Sequence, residues 1–191
     1  MALEHSILVS LAERSSSGYD LARRFDKSIG FFWSATHQQI YRTLKRMLDA
    51  GWVNAEEVVQ DGKPDKKVYR ISDAGRGELS RWIAEPSDPS LPRDELAVKL
   101  RGASYGDVAA LLAEMKRHRD ARAERLDLYR RFEKQDFSAP AELSGSALHQ
   151  YLVLRAGIRV EEGFTQWCDE VIAALGSAAP TATENNEREP E

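Results

Sequence analysis

The chain carries a single cysteine, Cys168, among its 191 residues. One thiol can form neither an intrachain disulfide nor a cysteine-based zinc site. A strong excess of either charge is also lacking. The formal net charge is −4, so the molecule as a whole is no polycation, and any anion-binding surface must be local. No apolar run approaches the length that spans a bilayer, and no membrane partner is expected. The opening residues MALEHSILVSLAE have no basic n-region and set Glu4 and Glu13 around a short apolar run, which argues against a secretory signal and for a cytoplasmic protein. No internal repeat points to a solenoid. Catalytic motifs are missing too: there is no H-E-x-x-H, no phosphate loop and no Gly-rich dinucleotide turn. His5, His37, His118 and His149 fall in separate stretches, and no local arrangement nominates a nucleophile and its base. The expectation is a protein that is not an enzyme and holds no cofactor or metal. A buried His–carboxylate pair lining a closed cleft would revive the enzyme reading.

What is present suffices for one large domain or two small ones, with 42% apolar residues for a core. The charge is divided unevenly. Through Glu85 there are 13 Lys and Arg against 12 Asp and Glu, an excess of one positive charge, and the remainder carries an excess of five negative charges. The front part is therefore the plausible anion binder. Within it, FFWSATHQQIYRTLKRMLDAG (31–51) reads as a helix with a start and a stop. Thr36 serves as N-cap and Gln39 as its capping-box partner, and Gly51 sits where a left-handed residue ends a helix. Ile40, Leu44, Met47 and Leu48 share one face. Gln38, Gln39, Arg42, Lys45 and Arg46 share the other, and amide and basic side chains suit base edges and phosphates. By itself this is also what an ordinary amphipathic helix with a solvated face looks like, so its neighbours decide the matter.

Before it, the spacing predicts helices over Ala2–Glu13 and Gly18–Lys27, the second capped by Ser17 with Asp20. The large apolar groups at Ile29, Phe31, Phe32 and Trp33 read as core plugs. After it come two β-rich runs, 52–59 and 66–71, separated by turn chemistry in 60–65. They predict a hairpin with Lys63, Lys66 and Lys67 at or near its tip. Ser72 then caps a helix over Asp73–Ala84 with Leu79, Trp82 and Ile83 inward. Helix, helix, helix, hairpin, helix is the winged helix-turn-helix order. Its third helix enters the major groove and its wing follows the backbone or the minor groove.

These residues resemble the PadR family of transcriptional regulators. The resemblance rests on Gly18-Tyr19-Asp20-Leu21, Phe32-Trp33-Ser34, Gln39-Ile40-Tyr41, Leu44-Lys45-Arg46-Met47 and Gly51, on Gly62-Lys63-Pro64 with Lys67-Val68-Tyr69-Arg70-Ile71 in the wing, and on Ala74-Gly75 with Leu79 and Trp82. It covers about Leu3 to Ile83. Where the family commonly has a small residue or proline after its Ile-Tyr pair, this chain has Arg42, which adds a cation to the exposed face.

The back half begins after a proline-punctuated linker, EPSDPSLPR. A short helix opened by Pro92, Asp94 and Glu95 is expected through Leu100, then a long one capped by Ser104 with Asp107 and running to about Lys134. Leu148–Leu175 reads as a last long helix with two apolar stripes, one including Tyr151, Ile158 and Cys168, the other Val153, Val160, Phe164, Trp167 and Val171. One partner helix cannot cover so wide a surface, and a second subunit is the economical solution. This layout is similar to the C-terminal helical dimerisation region of the longer PadR-like proteins, the phenolic-acid and virulence-regulator group.

The expected fold is thus mainly α (α+β): residues 1–85 a winged helix-turn-helix domain with a two-stranded wing, 86–93 a linker, 94–176 an all-α dimerisation domain and 177–191 a disordered tail. The resemblance implies a homodimeric repressor that binds double-stranded DNA at a pseudo-palindromic operator and responds to a small aromatic effector. Thr36, Gln38, Gln39, Tyr41, Arg42, Lys45, Arg46, Lys63, Lys66 and Lys67 are the candidate DNA contacts, and Tyr151, Arg155, Phe164 and Trp167 the candidate effector contacts. The alternative is a winged-helix module that binds protein without DNA. Its exposed helix face would be apolar.

Overall fold

The computed structural model describes residues 2–27, 35–59, 66–87 and 94–177. The expected aromatic plugs at 29–33, the wing tip with Lys63, the helix opening at Pro92, most of the linker and the tail beyond Ser177 lie outside these residues. The chain divides into two units, Met1–Ser90 and Leu91–Glu191.

The first unit runs α1 (Ala2–Glu13), β1 (Ser16–Ser17), α2 (Gly18–Lys27), α3 (His37–Asp49), β2 (Val53–Val58), β3 (Lys66–Ile71) and α4 (Asp73–Ala84). Its core draws one face from each helix: Ile7, Leu8 and Leu11 of α1, Leu21 and Phe25 of α2, and Ile40, Leu44 and Met47 of α3. Burial of each such side chain contributes about 1.5–3 kcal/mol. The helix ends are built locally. At α2, the Asp20 amide donates to Ser17 Oγ at 3.1 Å, and that hydroxyl donates to the Asp20 carboxylate at 2.8 Å. At the end of α3, Gly51 takes φ +72°. Its amide donates to the Leu48 carbonyl and the Trp52 amide to the Met47 carbonyl, the paired closure that a left-handed residue permits. The Ser72 hydroxyl then donates to the Gly51 carbonyl at 2.6 Å and accepts from the Gly75 amide at 3.0 Å, joining the end of α3 to the start of α4.

The wing has one strand more than expected. The sheet order is β1-β3-β2, antiparallel throughout. Ser16 and Ser17, read from sequence only as a helix break and a cap, pair with Tyr69 and Val68. A two-residue strand has no periodicity to detect; its partner across the sheet makes it a strand. A second correction concerns α4. Ile83 is 68% exposed and Trp82 37%, although Leu79 packs against the core. His5 of α1 is buried beside them, stacks on the Trp82 ring at 4.4 Å and pairs with Glu78 at 2.9 Å. This pair joins α1 to α4, with the His5 ring buried and the Glu78 carboxylate partly exposed.

The second unit contains α5 (Glu95–Arg101), α6 (Val108–Asp136) and α7 (Gly145–Ser177), with single 3₁₀ turns at Ala103–Tyr105 and Pro140–Glu142. The expected Ser104–Asp107 box does not form. Asp107 is itself the N-cap of α6, accepting from the Ala109 and Ala110 amides at 2.8 and 3.1 Å, and Ser104 belongs to the 3₁₀ turn. An Asp one residue before the helix reaches those amides directly. Asp94 caps α5 in the same way. Helices α6 and α7 form an antiparallel pair over Leu111, Met115, Leu126, Tyr129, Ile158, Cys168 and Val171. Charge spans it as well: Arg119 faces Asp169, Arg122 and Arg125 converge on Glu161, Arg130 meets Glu162 and Glu133 meets Arg155. Val153 and Val160 of the second stripe are 49% and 60% exposed, with Leu152 beside them at 54%. Among the described residues no helix is long and apolar enough to cross a membrane.

Candidate nucleic-acid interface

Helix α3 is set by its cap. The Gln39 amide donates to Thr36 Oγ1 at 3.2 Å, and the Thr36 amide donates to Gln39 Oε1 at 2.8 Å. Two of the N-terminal amides that lack intrahelical partners are thereby satisfied. With Ile40, Leu44 and Met47 turned into the core, rotation about the helix axis leaves no choice for the remaining side chains: Gln38, Gln39, Tyr41, Arg42, Lys45 and Arg46 are exposed.

The structure sorts these candidates. Gln38, Arg42 and Lys45 follow the i, i+4, i+7 line of one helix face and project together. Thr36 and Gln39 are engaged with each other, so the Gln39 carboxamide oxygen holds the cap. Arg46 is drawn to the flank, donating to Glu4 of α1 at 2.6 Å and to Thr43 Oγ1 at 3.4 Å. Tyr41 lies across the start of α2. A Cβ at Gly18 would stand 2.4 Å from its ring, so any side chain there would require the exposed Tyr41 ring to move. Lys66 and Lys67 open β3, half-buried and exposed respectively.

Two basic residues beside Lys66 escaped the sequence reading. Arg14 and Arg23 border a concave surface of about 410 Å³ together with Ser17, Arg24 and Lys66. Arg24 is already committed. Its Nη2 donates to the Ser10 and Arg14 carbonyls and to Ser16 Oγ, which closes the end of α1, and burial lowers its pKa from the ordinary guanidinium value. The signal was only a scatter of arginines, because the β1–β3 pairing that gathers them is a tertiary contact.

The candidate effector residues do not form one group within a protomer. Phe164 and Trp167 meet edge to face at 5.3 Å and line a shallow groove of about 1200 Å³ with Val98 and Val160. Arg122 covers the other face of Phe164 at 4.3 Å. Tyr151 instead packs on Phe137, and Arg155 pairs with Glu133 at 2.8 Å. The 13 residues from Tyr151 to Phe164 correspond to roughly 20 Å along a helix.

Comparison with known proteins bears on both units. Residues 7–81 match the model of the transcriptional regulator PadR-like family, and residues 92–176 match that of the virulence activator alpha C-terminal region. A probable transcriptional regulator of Mycobacterium tuberculosis, Rv1176c, is 59% identical over 185 residues, covering 92% of this chain and 98% of that protein. This chain belongs to the PadR-like family of transcriptional regulators. The negative transcriptional regulator PadR of Bacillus subtilis is 31% identical over 178 residues, covering 91% of this chain and 97% of that one. Its crystal structure in complex with operator DNA matches with a TM-score of 0.79 at 28% identity, over 92% of this chain and 99% of that one. Its complex with p-coumaric acid matches at 0.74 over the same shares. The Vibrio cholerae virulence activator AphA matches with a TM-score of 0.77 at 33% identity, over 93% and 99%. The PadR-like winged-helix fold with a helical C-terminal region is therefore shared along nearly the whole chain.

Proposed function

We propose that this PadR-family regulator is a homodimeric repressor that reads double-stranded DNA through α3. The observation that carries the proposal is the face of that helix: capped at Thr36, anchored by three buried residues, and presenting Gln38, Arg42 and Lys45 in one line. Glutamine can contact adenine with two hydrogen bonds and arginine can do the same with guanine, and Lys45, Lys66 and Lys67 would neutralise phosphates. A protein-docking face would be apolar here. The operator complex of the Bacillus PadR supports the same reading.

The dimer is supported by Leu152, Val153 and Val160, which leave α7 with apolar surface that its own unit does not cover. Two copies of α3 related by a two-fold axis would read half-sites about one helical turn apart on a pseudo-palindrome. The effector component rests on Phe164 and Trp167 at their groove, where Val98 and Val160 could pack on a ring and Arg159 could pair with the carboxylate of an aromatic acid of the kind the Bacillus PadR holds, with Asp94 and Glu95 also on the lining. Such a ligand would release DNA by favouring a dimer whose half-site spacing no longer fits, which requires different affinities for the two states.

The test is selection from a random duplex pool, followed by binding of the selected duplex to Gln38→Ala and Arg42→Ala. Loss of discrimination at separate base positions is expected, at about 1–3 kcal/mol each. Unchanged selectivity in both variants would remove α3 from base reading. A thermal-shift series with phenolic acids tests the effector, and no shift at saturation would remove that component.

A further inference from the structure

The notch bordered by Arg14, Arg23 and Lys66 is built by three elements that are distant from one another in function. Ser16 and Ser17 pair with Tyr69 and Val68, and continuing that antiparallel register sets Lys66 level with the first turn of α2. Arg14 follows α1 and directs its carbonyl to Arg24, while its own side chain is exposed. Arg23 is exposed four residues after Tyr19, with its guanidinium 5.8 Å from that ring. Among the described lining residues the one carboxylate, Asp20, already accepts from the Ser17 hydroxyl. Besides Arg24, which is engaged with the end of α1 and lies in the field of Glu13, three basic residues line the concavity on a chain whose overall charge is negative. The notch adjoins residues that touch α3 and the wing. Tyr41 of α3 rests on Gly18 at one side, and Lys66 begins the wing strand at the other.

We propose that this notch binds a phosphate oxyanion, and that the oxyanion is a backbone phosphate of the DNA flanking the groove occupied by α3. The open shape suits a diester on a polymer, and Lys66, which lines the notch, also begins the wing strand next to Lys67. The inference rests on the DNA-binding reading above and adds Arg14 and Arg23 to it as positioning residues. A phosphate contact fixes register on the duplex and carries no sequence information.

The experiment measures affinity of the full-length protein for the pool-selected duplex and a scrambled one across a salt series, for wild type, Arg14→Gln, Arg23→Gln, Arg23→Lys and the base-reading control Gln38→Ala. Loss of one phosphate contact lowers the slope of log K against log salt by about 0.9. Each glutamine variant is expected to lose about that much, with the same affinity loss on both duplexes, and Arg23→Lys is expected to restore the slope. Unchanged melting temperatures would exclude a folding defect. Wild-type slopes in both glutamine variants overturn the DNA assignment. A parallel titration of inorganic phosphate, followed by ³¹P line width, separates the sources: saturable binding lost in the variants with DNA binding intact reassigns the notch to a free anion, and no effect in either arm overturns the notch itself. If wild type binds no duplex at all, the functional reading falls first, and the phosphate arm alone decides the notch.

Discussion

Glu78 shows how one carboxylate links two helices. Hydrogen bonds from Arg81 and from His5 hold its pKa down at about 2, from an ordinary value of 4.5. A depressed carboxylate stabilises the folded state above its unfolded pKa and loses that contribution as pH falls through the folded one. The protein is therefore expected to lose stability between about pH 4.5 and pH 2, and Glu78→Gln should flatten this part of the profile. Melting temperature measured against pH for both proteins checks it, and parallel profiles would contradict the linkage. Arg24 makes a comparable case without titration. Removing a group that serves three acceptors at the end of α1 leaves the Ser10 carbonyl with the Arg14 amide and the Arg14 carbonyl with the Ser16 hydroxyl, so Arg24→Ala is expected to cost about 1 kcal/mol in urea unfolding. A cost within error would show that water replaces it.

At the scale of the element, α3 can be weakened at either end without touching its exposed line. Thr36→Ala removes the acceptor for the Gln39 amide and should cost about 1 kcal/mol. It also frees the Gln39 carboxamide, so a change in DNA selectivity beyond the stability loss would mark Gln39 as a reader held in reserve by the cap. The α6–α7 pair is sensitive at Glu161, which is 4% exposed between Arg122 and Arg125. Glu161→Ala leaves two guanidiniums facing each other without their carboxylate. An expected loss of about 2–4 kcal/mol follows, discounted from a fully buried pair because both arginines reach solvent. Replacing the pair as Glu161→Leu with Arg122→Leu should recover part of it, and failure to do so in a double-mutant cycle would place the strain elsewhere.

For the whole molecule the decisive quantity is association. Val160 is exposed on α7, and a charge introduced there, Val160→Glu, is expected to lower the dimer population in analytical ultracentrifugation while leaving the helical content of the protomer intact. DNA affinity should fall with it, because half-site binding by one α3 forfeits the second set of contacts. A variant that stays dimeric with wild-type affinity would move the interface off this stripe. The near-neutral charge of the front unit means that electrostatic affinity comes from placement of a few cations and not from a diffuse field.

The sequence by itself determined what is encoded within a few residues. The α3 cap at Thr36 and Gln39, its apolar line, the left-handed stop at Gly51 and the hairpin pairing of 53–58 with 66–71 are local or nearly so, and their chemistry is complete in the stretch that forms them. From those came the element order and the exposed face that distinguishes a DNA reader. Tertiary structure alone decided the rest. Ser16 and Ser17 become a strand only when β3 arrives some fifty residues later, and that pairing gathers Arg14 and Arg23 beside Lys66. His5 is buried where Glu78 and Trp82 of α4 meet it across two helices, while Ile83 stays exposed. Tyr151 and Phe164 separate because a helix spends length on every residue between them. Such outcomes depend on which distant groups satisfy one another, and periodicity within a segment holds no record of that choice.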